Sequence, residues 1–179
     1  MKHILFTITT LLLFSCNKQQ NENQKHTLPE TNNTSIVILG TVQDAGSPHM
    51  ACKKDCCVNL FENPDPNRKV VALGVIDPDH KASYLFEATP DITTQAKALK
   101  NISGTKSETP NGVFLTHAHI GHYVGLMYFG KEAMNANNVP VYAMPKMKTY
   151  LETNGPWSQL VNNKNILLHE LKKDSLITL

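Results

Sequence analysis

The chain has 179 residues, 41% of them hydrophobic, with 17 Lys plus Arg against 15 Asp plus Glu. That length and apolar content suffice for one domain with its own core and exclude a disordered, collagen-like or repetitive chain. A formal net charge of +2 with no Lys/Arg-rich run excludes nucleic acid as the main electrostatic partner.

Residues 1–3, Met-Lys-His, precede an apolar run over 4–14 that is too short for a membrane span and has the shape of an export signal. The run closes on Leu13-Phe14-Ser15-Cys16, which resembles a bacterial lipoprotein signal, although Phe14 is bulkier than that pattern usually carries. The resemblance implies lipidation of Cys16 after cleavage, with signal peptide 1–16. The product would be an exported lipoprotein of the cell membrane or outer membrane, its domain facing the periplasm or the surface. An ordinary signal peptide or an N-terminal core helix is the alternative. Residues 17–34 are almost wholly polar and cannot bury enough surface to offset ordering entropy, so they read as a tether. The globular domain is expected over 35–179.

Residues 35–40, Ser-Ile-Val-Ile-Leu-Gly, form a β-branched apolar run that predicts a buried strand feeding a loop. In that loop Asp44 of Gln-Asp-Ala-Gly either lines the mouth of a site or forms an Asx turn. Next come Cys52, Cys56 and Cys57, spaced C-x3-C-C. The adjacent pair cannot readily bridge each other, so one reading is a disulfide from Cys52 to one of them with a free thiol left over. The other is a structural Zn site completed by a fourth ligand from elsewhere, with Lys53 and Lys54 helping to stabilise thiolate charge.

Residues 70–77 and 83–88 read as a hairpin across the Pro78-Asp79-His80-Lys81 turn. Thr89-Pro90-Asp91 then opens a helix with Ile92, Ala96 and Leu99 on one face and Asp91 as cap or first-turn acid. An apolar strand from Gly112 runs directly into His117, His119 and His122, and a helix is predicted from Val124 through Phe129. Three of the chain's 8 His lie within six positions at a strand end, a pattern that suits metal ligation better than a surface cluster. Tyr123 and Trp157 read as pocket residues or as aromatic core. The alternating run 165–171 reads as a strand with His169 on its surface.

His117-Ala118-His119-Ile120-Gly121-His122 resembles the H-x-H-x-D-H signature of the metallo-β-lactamase superfamily. Leu39-Gly40 with its Cys-bearing loop, then residues 85–91, 112–126 and 139–145, follow the order of that superfamily's pyrroloquinoline-quinone biosynthesis protein B branch. The resemblance implies an α+β fold, an αβ/βα sandwich of which the N-terminal half is present. It also implies a structural Zn on Cys52, Cys56 and Cys57.

Two departures qualify what carries over. Gly121 stands where the signature has Asp, which leaves His122 without its carboxylate partner and favours one ion on His117 and His119. The superfamily's third His, bridging Asp and final His come from a further half, so a homodimer or a separate C-terminal half is the expected partner. The implied mechanism is metal-assisted hydrolysis, with Zn as the expected ion, Fe as the alternative, and His122 and Asp44 as candidate catalytic residues. His122 would hold a second ion or hydrogen-bond the attacking water. Three functions follow in order: a membrane-tethered hydrolase of a small-molecule ester, lactone or phosphodiester; an oxidative enzyme like the quinone-cofactor branch; and a non-catalytic metal-binding lipoprotein.

Overall fold

The structure is a computed structural model that describes residues 32–179. The expected signal segment, Cys16 and the tether through residue 31 lie outside the described residues. Among the described residues no helix is long and apolar enough to cross a membrane.

A single mixed sheet holds six strands in chain order: β1 (Ser35–Gly40), β2 (Ala72–Asp77), β3 (Ala82–Phe86), β4 (Gly112–Phe114), β5 (Val139–Ala143) and β6 (Ile166–Glu170). The first three pair antiparallel, and β3 to β6 run parallel. Each parallel pairing needs a crossover. Helix α2 (Ile92–Ser103) joins β3 to β4, two 3-10 segments join β4 to β5, and α3 (Pro145–Thr153) with α4 (Trp157–Asn162) joins β5 to β6. A short helix, α1 (Asp55–Val58), lies in the long loop between β1 and β2.

The two faces of the sheet are chemically different, as the two-residue strand period requires. Leu39, Ile76, Leu85, Val113, Val141 and Ile166 face the helices and form the main core with Leu99, Leu126, Leu151 and Trp157. The opposite face carries an aromatic row. Phe86 stacks on Phe114 at 4.8 Å, Phe114 on Tyr142 at 4.4 Å, and Tyr142 on His169 at 4.9 Å. His169 is thus a strand residue packed on a ring, well placed for neither cluster described below.

The β2–β3 hairpin has the predicted turn, with Asp77 opposite Ala82. Three local expectations are corrected. The run 35–40 is a strand but not a buried one: Val37 and Leu39 pack inward, whereas Ile36 and Ile38 are 70% and 69% exposed on an edge paired only with β2. Asp91 does not cap α2 with its side chain; Oδ2 accepts the Val70 N–H at 2.8 Å instead. The helix predicted from Val124 is a 3-10 segment, Val124–Phe129, preceded by a 3-10 turn at Ile120–His122. Its N–H groups reach carbonyls three residues back, Leu126 to Tyr123 at 3.1 Å and Gly130 to Met127 at 2.9 Å, while the Gly125 N–H, free in the first turn, docks on the Ala88 carbonyl at 2.8 Å.

Polar groups lock the end of β3 to the start of β2. Gln95, fully buried on α2, donates from Nε2 to the Val70 carbonyl at 2.6 Å and accepts the Thr89 hydroxyl at 2.6 Å. Tyr123 and Trp157 resolve as core, their rings 5.2 Å apart and edge-on. A hydrogen bond to Tyr150, burial and the neighbouring phenol together push the Tyr123 phenol up to about 12, so it stays protonated at neutral pH. Leu85, fully buried on the central strand, is the most direct probe of the core. Leu85→Ala is expected to cost about 2–5 kcal/mol in urea unfolding, and a loss below about 1 kcal/mol would mean the helices do not pack as described.

Candidate metal centre

Strand β4 ends at Phe114, and the backbone then turns through Thr116 to the 3-10 turn at Ile120–His122. This path brings His117, His119 and His122 together. One ring nitrogen from each can be chosen so that all lie within 4.8 Å of one another. The ring centroids of His117 and His122 are 4.2 Å apart and those of His117 and His119 are 4.6 Å apart. His122 is buried, while His117 and His119 are exposed, so the cluster is anchored on one side and open on the other. The three rings therefore form one group that could hold a metal ion.

The side chain that faces these rings from the end of β3 is Glu87, which the sequence marks only as part of the 83–88 strand. It follows β3 immediately, is 6% exposed, and adopts a left-handed backbone with φ of 77°. Its Oε1 accepts the Thr116 hydroxyl, and Thr116 Oγ1 lies 2.8 Å from His117 Nδ1. Its Oε2 lies 3.5 Å from His122 Nδ1, and both of these atoms are buried with no hydrogen-bond partner. One carboxylate thus addresses the Nδ1 edge of two rings, directly for His122 and through a hydroxyl for His117. A proton held on each Nδ1 leaves each Nε2 lone pair free, the arrangement by which carboxylates orient metal-binding imidazoles. The donor chemistry fits a divalent ion, because a positive charge on Nε2 sharpens the Nδ1–H as a donor and compensates a buried carboxylate that is otherwise costly. The available sequence signal was a lone acid ending an apolar strand.

Asp44 reaches the same rings from the loop after β1. Its Oδ2 lies 3.3 Å from His119 Nδ1 and 3.9 Å from His122 Nε2. The expectation that Gly121 deprives His122 of a carboxylate is therefore corrected: Glu87 and Asp44 flank it on opposite ring nitrogens. The Asx-turn alternative also falls, because the turn is closed by Gln43, whose Oε1 accepts the Ala45 N–H at 3.1 Å and whose Nε2 donates to the Gly46 carbonyl at 2.7 Å.

A second cluster lies further along that loop. Cys52, Cys56 and Cys57 are free thiols whose sulfurs all lie within 4.8 Å of one another. Cys56 and Cys57 sit on α1, held by Arg68, whose Nη1 donates to the Cys56 carbonyl at 3.0 Å. Three converging sulfurs make a soft donor set suited to Zn. Both the His group and the Cys group could hold a metal ion.

Comparison with known proteins agrees with this geometry. No curated protein matches the chain. Among solved structures, Zn(2+)-bound PqqB from Methylobacterium extorquens superposes with a TM-score of 0.61 at 22% identity, over 78% of this chain and 50% of that one. A diphosphatase from the PhnP family superposes with a TM-score of 0.56 at 20% identity, over 81% of this chain and 53% of that one. The chain spans about half the length of these two proteins, and the likeness shows a metallo-β-lactamase fold. The family model described as "Beta-lactamase superfamily domain" matches residues 83–179, more than half of the sequence and the whole His loop, and the chain belongs to that family.

Proposed function

We propose that this chain is a metal-dependent hydrolase of a small ester, lactone or phosphodiester, held at a membrane through a lipid on Cys16. The single observation that carries the reading is the buried Glu87 carboxylate addressing the Nδ1 edges of His117 and His122. A core with no chemistry to perform has little reason to bury an acid beside two imidazoles. When bound, a divalent ion lowers the pKa of its water towards about 7 and polarises a carbonyl or phosphoryl oxygen.

The chain's own residues have distinct tasks in this reading. His117, His119 and His122 would hold the ion, with Zn as the expected metal. Glu87 and Thr116 fix two of the rings so that their lone pairs need not be reoriented during turnover. Exposure of His117 and His119 leaves the approach open to a small substrate. The Cys group would hold a second, structural Zn that ties α1 to the loop carrying Asp44. A further half of the sandwich, or a second copy of the chain, would cover the aromatic face and supply the remaining superfamily ligands.

One observation favours a second reading. The His group with its flanking acids offers only nitrogen and oxygen donors, a set that suits Fe(II) as well as Zn. An oxidative enzyme like the quinone-cofactor branch would show iron-dependent consumption of O₂, and a hydrolase would not.

Metal content per chain is the first test. About two ions in the wild type, falling to about one in His117→Ala/His119→Ala, is expected if each cluster holds one ion. Turnover of bis(p-nitrophenyl) phosphate, aryl esters and lactones should disappear in the same variant. Retained metal without turnover on any of these substrates would support a non-catalytic metal-binding protein instead. Separately, Glu87→Gln keeps the shape but removes the charge, and is expected to weaken metal binding at the His group by about 10–100-fold, as measured by competition with a chelating dye.

A further inference from the structure

We propose that Asp44 is itself a ligand of the His-group metal, supplying from the β1 loop the carboxylate that the His loop lacks at Gly121; this rests on the metal-centre reading above. The first observation is the shared oxygen. Asp44 Oδ2 approaches His119 Nδ1 at 3.3 Å and His122 Nε2 at 3.9 Å. Two donors each about 2.1 Å from one ion in tetrahedral arrangement stand about 3.4 Å apart, so these separations match co-ligands of a common ion. The second observation is the packing at Gly121, which is independent of side-chain charge. A Cβ built on Gly121 would stand 2.6 Å from Asp44 Cβ and 2.8 Å from Asp44 C, and closer still to the Asp44 carbonyl oxygen.

These two facts explain each other. The glycine does not simply delete an acid; it clears the space in which the Asp44 backbone lies. An Asp at 121 and the loop in its present position are sterically incompatible. The donor set becomes three imidazoles and one carboxylate, gathered from two loops that are far apart in sequence. Its carboxylate is 37% exposed, on the open side of the cluster, whereas Glu87 closes the buried side. The division of labour follows from position: Glu87 orients rings through their protonated nitrogens, and Asp44 meets the lone-pair edge of His122 where an ion would sit.

The test is Co(II) titration of the full chain, wild type against Asp44→Asn, followed through the d–d absorption of the His centre. Thiolate-to-cobalt charge transfer from the Cys group serves as an internal control for folding. Asparagine still offers an oxygen to a His119 N–H, so a carboxylate that merely steadied that ring would be replaced with little change. A ligand would not be: the d–d spectrum should alter, and Co(II) affinity at that centre should fall by about a hundredfold, with the charge-transfer band retained. Gly121→Ala should produce the same loss with Asp44 still present, because the added methyl group displaces the loop. An unchanged d–d spectrum and affinity in Asp44→Asn would overturn the assignment while leaving the His centre intact. Wild-type protein that binds one Co(II) per chain, with the charge-transfer band at full intensity, would overturn the His-centre reading itself.

Discussion

The centre depends on the parallel pairing of β3 with β4 and on what happens one residue beyond it. Phe86 lies opposite Phe114, and the ladder continues as the Glu87 N–H donates to the Phe114 carbonyl at 2.9 Å. The Ala88 N–H then donates to the His122 carbonyl at 2.8 Å, and the Gly125 N–H to the Ala88 carbonyl. Three successive contacts thus clamp the end of one strand across the loop that leaves the next. They hold Glu87 beside the His loop and dock the start of the following segment against the chain that leaves β3. A buried carboxylate is tolerated only where hydrogen bonds and positive charge offset its desolvation. In this fold the hydrogen-bond partner is Thr116, and His122 Nδ1 stands 3.5 Å from the other carboxylate oxygen.

The second support is the loop between β1 and β2, which touches both candidate metal groups. Gln43 holds its turn, Asp44 projects to the His rings, and the chain then passes through Cys52 to the thiols on α1. Arg68 ties the return path to α1, and the Val42–Val70 bridge ties it to the segment just past β1. An ion on the thiols would shorten the span over which this loop can fluctuate, and so would bear on where Asp44 sits without touching the reaction. The two clusters are therefore mechanically linked through one loop. An ion on the thiols would then have a structural role without meeting substrate.

Much of the sheet was legible because its signals are local. Apolar runs mark β2 and β3, an alternating run marks β6, the turn residues at 78–81 mark the hairpin, and Ile92 and Leu99 mark the inner face of α2. The His group was legible for the same reason, since three imidazoles at a strand end are adjacent in sequence. What could not be read depends on contacts between distant segments. The exposed Ile36 and Ile38 reflect β1's place at the sheet edge, which composition does not encode. Glu87 reads as an ordinary strand residue until β4 brings Thr116 and His122 beside it. Asp44 and Gly121 are 77 positions apart, and their relation is a steric one that no motif records.

The central claim is that the buried Glu87 sets the protonation of the rings, and nitrogen NMR of ¹⁵N-labelled imidazoles addresses it most directly. In the metal-free protein the neutral rings of His122 and His117 should each be found as the Nδ1–H tautomer. In Glu87→Gln both rings should lose that preference while the backbone spectrum of β3 and β4 is kept. Finding His122 as the Nε2–H form in the wild type would contradict the account, because the lone pair would then face the buried acid rather than the open side where an ion can bind.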